Sequence, residues 1–191
     1  MFLAGKIRER IKAEISQDRA KHIFAVEEEA QALCKILDCT EYYEDLSYAA
    51  LLHDITKDMP KNKQLLLCEK YGIILDNSEI ATPALLHART GAEFARELFG
   101  ISDEIYEAIR WHTTGKPDMS TLEKIIYLAD YTEPNRDFEG VDVLRELCFE
   151  NLDEAMALGL SMSLGEIRAR GAVPFGDTLE AYTWYTSERG E

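Results

Sequence analysis

The sequence predicts an all-α fold, a bundle of helices packed around a buried polar centre. Three observations carry that reading. Hydrophobic residues recur at helical spacing almost throughout, with no convincing strand alternation. Helix caps and breakers punctuate the periodic segments at plausible intervals. The apolar run Ala49-Ala50-Leu51-Leu52 leads straight into His53 and Asp54, so a histidine and an aspartate are carried into the interior. Burying that pair costs several kcal/mol unless something compensates, and a divalent cation suits both groups.

The elements follow in order. Lys6 to Ile15 sets Ile7, Ile11 and Ile15 on one face of a short helix. A second helix should run from near Asp18 through Leu37, with His22 on the stripe of Val26, Ala30, Leu33 and Leu37. The third carries Ala49 to Asp54 and is expected to continue to Lys57–Pro60, where Pro60 stops it. Asn62 to Tyr71 reads as a helix closed by Gly72 in a left-handed cap. Ser78 should cap the next segment with Glu79 in its first turn, and Pro83 lies near the start of Ala84-Leu85-Leu86-His87. Ser102 caps Asp103 to His112, whose Ile105, Ala108, Ile109 and His112 face inward. After the loop Thr113 to Pro117, Ser120 and Glu123 form a capping box. Leu122, Ile126 and Asp130 share the buried face of that helix, which Pro134 ends. Leu144 to Leu164 and Thr178 to Ser187 supply two or three packing helices, with Tyr182, Trp184 and Tyr185 as core or interface aromatics.

At 191 residues the chain fits a single domain, 1–191. Residues from about 18 to 135 should hold the polar centre, and about 142 to 189 should pack against it. The formal net charge of −15 argues against a nucleic-acid partner, which needs a basic surface. No apolar run approaches the ~20 residues that span a membrane, and no signal peptide is visible. Cys34, Cys39, Cys68 and Cys148 form no CxxC pair and read as reduced packing residues, so a cytoplasmic location is expected.

One inward histidine is most often a satisfied core residue. Here all four histidines, His22, His53, His87 and His112, sit on or beside apolar helix faces, joined by Asp54 and Asp130. Four imidazoles and two carboxylates can ligate two divalent ions, with Asp54 bridging. Two ions ~3.5–4 Å apart can hold a hydroxide and clamp both oxygens of a phosphoryl transfer. The donor set suits iron, manganese, cobalt or zinc, whereas magnesium prefers an all-oxygen shell.

The pattern H…HD…H…H…D with HDxxK at Lys57 resembles the HD-domain metal-dependent phosphohydrolases. More narrowly, LLHDITKD, LLHARTGAEFA and AIRWHTTGKPDMSTLEKIIYLADYTEPNRDFEGVD resemble the YqeK-type symmetrical bis(5′-nucleosyl)-tetraphosphatases, over about His22 to Leu152. The resemblance implies an HD-domain helical bundle, a two-iron centre, and hydrolysis of diadenosine tetraphosphate to two ADP. It implies His22, His53, Asp54 and Asp130 at a first metal, with His87 and His112 at a second that shares Asp54. The expected partner is then a dinucleoside polyphosphate, with ADP or GDP as product; a homodimer is also entertained.

Other residues admit two readings. Lys57 reaches a phosphate, or is a solvated helix-end lysine. Asp58 orients a ligand histidine or the attacking water as part of the catalytic group with Asp54 and Lys57, or faces solvent. Thr90–Gly91 and Thr113–Thr114 border the substrate, or serve as ordinary turn and cap residues. Arg136 is the preferred arginine for bidentate phosphate recognition, whereas Arg89 and Arg110 read as surface charges. Rival functions are hydrolysis of a nucleoside mono- or triphosphate or a cyclic dinucleotide, and a non-catalytic nucleotide-sensing module. The Gly-Tyr-Pro signature of the cyclic-dinucleotide enzymes is absent.

Overall fold

In the computed structural model residues 2–75, 79 and 85–187 are described, and among them there are helices and turns with no strand. The helices are α1 (Phe2–Glu14), α2 (Gln17–Ile36), a 3-10 turn (Thr40–Tyr42), α3 (Tyr43–Leu52), α4 (Lys61–Lys70), α5 (Leu86–Phe99), α6 (Asp103–Trp111), α7 (Thr121–Thr132), α8 (Val141–Glu150), α9 (Leu152–Ala169) and α10 (Gly176–Thr186). The expected cap at Ser78 and the helix start around Pro83 lie outside the described residues.

Local chemistry sets most of the boundaries. Ser102 accepts from the Ile105 amide at the start of α6. Ser120 and Glu123 form a reciprocal capping box on α7, and Asn151 accepts from the Asp153 and Glu154 amides to open α9. Gly72, at φ 65°, turns the chain after α4 in the left-handed conformation. α1 begins at Phe2, four residues before the expected start, and the departure that bears on the centre is α3, which ends at Leu52, five residues before Lys57. There the His53 ring takes the carbonyl of Ala50 at 2.7 Å, competing with the helical ladder. The chain continues as successive turns, with the amides of Ile55, Lys57 and Met59 donating to the carbonyls of Leu52, Asp54 and Thr56.

α2 and α3 pack face to face, α3 also meets α6 and α7, and α5, α6 and α7 pack in succession. α9 lies between α7 and the outer pair α8 and α10. One hydrophobic cluster runs from Ile7 and Ile11 on α1 to Tyr185 on α10. A buried ionic knot ties the N-terminal helices together: Glu27 on α2 accepts from Arg8 of α1 at 2.6 Å and from Ser47 of α3. All four cysteines are free and buried, and burial pushes the Cys39 and Cys148 thiols up to about 12. Tyr185 is in the core, its hydroxyl accepting from the Met119 amide, whereas Trp184 is partly exposed. No helix among the described residues is long and apolar enough to cross a membrane.

Candidate metal centre

Five segments bring the six predicted donors together: α2 (His22), the turn after α3 (His53 and Asp54), α5 (His87), the end of α6 (His112) and α7 (Asp130). His53 and His112 share one local device. Each sits just past its helix end, and its Nδ1 donates to the carbonyl three residues back, Ala50 or Ile109, at 2.7 Å. That bond directs each Nε2 away from its own helix. The negative ends of α3 and α6 therefore flank the centre and favour a cation there.

Asp54 lies between the imidazoles. Its Oδ2 is 3.6 Å from His22 Nε2 and 3.5 Å from His53 Nε2, while its Oδ1 is 3.2 Å from His87 Nε2 and 3.6 Å from His112 Nε2. Asp130 Oδ1 completes the first side, 3.0 Å from His22 Nε2 and 4.0 Å from His53 Nε2. The Nε2 atoms of His87 and His112 are 3.1 Å apart. Donor atoms of His22, His53 and Asp130 lie within 4.8 Å of one another, as do those of His53, Asp54 and His112.

These spacings fit ions. Donors bound at about 2.0–2.2 Å in tetrahedral or octahedral array stand roughly 3–3.6 Å from their neighbours. A second observation agrees: His22 Nε2, His53 Nε2 and Asp54 Oδ1 are buried yet form no hydrogen bond of normal geometry among the described residues. Orphaned buried polar atoms are costly, and here all three face the same space.

Electrostatics follow from the crowding. Burial alone would raise the Asp54 carboxyl, but His53, His112 and His87 outweigh it and hold it well below the usual range. Asp130 is likewise held down against burial by His22 and His53. Burial lowers His87 to about 4 and lowers His112 as well, leaving neutral imidazoles suited to ligation. For His53 burial acts downward too, yet the charges of Asp54 and Asp130 raise it.

The remaining predicted residues divide. Lys57 Nζ reaches into the centre, 3.1 Å from His87 Nε2 and 3.4 Å from Asp54 Oδ1. Thr113 Oγ1 lies 3.1 Å from His112 Nε2. Arg136 donates to Asp130, at 2.7 Å to Oδ1 and 2.9 Å to the carbonyl. Asp58 touches no histidine. It accepts from Ser16 Oγ at 2.7 Å and from Arg19 Nε at 3.3 Å. Thr90 is fully buried, bonded to Leu86 O and Thr56 Oγ1, and Gly91 packs behind the His53 turn, 3.5 Å from the His53 carbonyl as a Cβ would measure it. Thr114 bonds to Gly115 O and lines a separate pocket with Arg89 and Arg110. Thr90, Gly91 and Thr114 therefore shape the scaffold around the centre without facing into it.

Two residues escaped sequence reading. Arg19 Nη1 donates to Asp54 Oδ2 at 2.7 Å, and Glu133 Oε1 lies 3.2 Å from His22 Nδ1. Arg19 stands three residues before His22 on α2, a one-turn spacing that could have flagged it. Glu133, next to Pro134 at a helix end, resembles any terminal acid and gives no such signal.

The HD domain family model, matching residues 19–135, covers every one of the six donors. The chain belongs to the HD domain family. A Halalkalibacterium halodurans relative named symmetrical bis(5′-nucleosyl)-tetraphosphatase is 38% identical over 93% of this chain and 94% of its own. A Bacillus subtilis relative of the same name is 35% identical over the same shares. A crystal structure described as a predicted HD superfamily hydrolase involved in NAD metabolism, from Clostridium acetobutylicum, superposes with a TM-score of 0.91 at 34% identity, covering 97% of each chain. As an HD domain, the chain carries the family's divalent-metal dependence, and its His/Asp clusters are the groups able to satisfy it.

Proposed function

We propose that this HD domain hydrolyses bis(5′-nucleosyl) tetraphosphates symmetrically, converting diadenosine tetraphosphate and water into two ADP. The observation that carries the reading is a single buried carboxylate, Asp54, turning one oxygen toward His22 and His53 and the other toward His87 and His112. Near full-length relatives bearing the tetraphosphatase name supply the substrate class. Two divalent ions held by these donor sets, iron being our choice for so imidazole-rich a group, would supply positive charge to the phosphate oxygens and ease deprotonation of the attacking water.

The chain's own residues do the positioning. The carbonyls of Ala50 and Ile109 and the carboxylate of Glu133 hold the Nδ1 sides of His53, His112 and His22, so that Nε2 lone pairs face the centre. Lys57, Arg19 and Arg136 are the cations gathered at its mouth, each partly exposed. They offset the charge of a polyphosphate approaching an acidic protein whose overall field would repel it. Asp58 acts at one remove, fixing Arg19 against Asp54. The four buried thiols suit the reducing cytoplasm.

The test is product identity. With added iron(II) or manganese(II), purified protein should convert diadenosine tetraphosphate to ADP as the sole nucleotide product, read by chromatography. AMP appearing together with ATP would exclude symmetrical cleavage, and no turnover with either metal would exclude the substrate.

A further inference from the structure

A cleft of about 340 Å³ adjoins the metal centre, sharing His112, Thr113 and Asp130 with it and lined also by Tyr131, Phe138 and Arg170. Its size lies at the low end for small-ligand pockets, room for one nucleotide half of a dinucleoside substrate. Tyr131 and Phe138 both line the cleft, their rings meeting with centroids 5.0 Å apart at an interplanar angle of 46°, a tilted pair, the aromatic corner. Phe138 stands outside the core cluster, on the connection between α7 and α8, whereas Tyr131 is anchored against that core.

That connection is held firmly. Arg145 of α8 donates to the carbonyls of Thr132 at 2.9 Å, Glu133 at 3.1 Å and Arg136 at 2.8 Å. Gly140 turns the chain at φ 87°, and a Cβ there would fall 2.7 Å from Met162 Cε. The aromatic corner is thus preorganised. Arg136, also in the lining, pairs with Asp130 of the centre at 2.7 Å, so a cation for phosphate and an aromatic pair border the same cleft. Glu166 and Arg170 pair at 3.2 Å on the rim, with the Tyr131 hydroxyl donating to Glu166 at 3.5 Å.

We infer that Tyr131 and Phe138 form the stacking corner for the base of one nucleotide half, while Arg136 meets its phosphates. This deepens the tetraphosphatase reading and rests on it. Aromatic faces accept either purine, so they contribute affinity without selecting the base.

The experiment titrates metal-loaded protein with ADP and, separately, with pyrophosphate, which has no base. Phe138→Leu keeps apolar bulk and removes the ring face. ADP should bind about ten-fold more weakly to that variant, while pyrophosphate affinity is unchanged, and Phe138→Tyr should restore ADP binding. In turnover of diadenosine tetraphosphate, KM should rise by more than kcat falls. Equal ADP affinity in Phe138→Leu and the parent overturns the stacking corner, as does an equal loss for pyrophosphate. Absence of tetraphosphate turnover by the parent would overturn the functional reading instead, and the ADP titration would still decide the corner.

Discussion

Three imidazoles of the centre have their Nδ1 sides fixed by neighbours, and the kind of neighbour decides what a substitution costs. His53 and His112 lean on backbone carbonyls, which no side-chain change removes. His22 leans on Glu133, whose carboxyl burial would raise but which the Asn135 amide groups and His22 hold low and ionised. Glu133→Ala should therefore weaken metal binding by about 10–100-fold with helicity retained, measured by metal titration with circular dichroism. Asp58→Asn, acting only through Arg19, should cost less than Glu133→Ala. A larger loss at Asp58 would mean it touches the reacting groups directly. Acid behaviour follows from the same burial. His87 is lowered to about 4 in the folded chain, against an ordinary value near 6.5, and His112 is lowered too. The unfolded chain then binds more protons across that window, so stability is lost as pH falls from about 6.5 toward 4. His53, which is raised, opposes this, while the depressed Asp54 and Asp130 extend the loss to lower pH. Metal-stripped protein should melt at progressively lower temperature from pH 7 to 4.5, and His87→Asn should flatten the slope. A melting temperature that rises on acidification would show that His53 dominates.

At the scale of elements, capping chemistry was the most legible part of the sequence. Ser102 and Ser120 cap helices because a hydroxyl three residues ahead of a free amide is a purely local arrangement. Ser120→Ala should cost about 1 kcal/mol. That corresponds to a fall of roughly 2–4 °C in Tm for a chain of this size, and no change at all would imply that Lys116 and Glu123 hold the helix start without it. The end of α3 was less legible. Apolar periodicity and Pro60 argue for continuation to Lys57, and only the side-chain bond from His53 to Ala50 shows why the helix stops at Leu52. The early stop matters, because the turns that follow are what point Asp54 and Lys57 into one space.

For the whole molecule, the helical class was readable from one chain, and the six polar residues expected as donors do meet in one place, because burial of polar residues is a strong local signal when it recurs. What linked them was only partly readable. Arg19 and Glu133 touch the centre through tertiary packing of α2 against α3 and α7, and a residue's partner across helices leaves no trace in its own spacing. Thr90 and Gly91 show the opposite case. They adjoin a donor histidine in sequence but face away from the centre, since α5 turns them toward Thr56. The acidic composition and the cations at the mouth act in opposite senses: a net charge of −15 repels anions at a distance, while Lys57, Arg19 and Arg136 set the local field.

The most direct measurement is a count of divalent metal per chain, by elemental analysis, for the reconstituted parent and for Asp54→Ala. Two ions per parent chain, with loss of both metal and tetraphosphate turnover in the correctly folded variant, is the expected result. A parent chain that takes up no metal, or an Asp54→Ala variant that keeps two ions and full turnover, would contradict a centre built on the shared carboxylate.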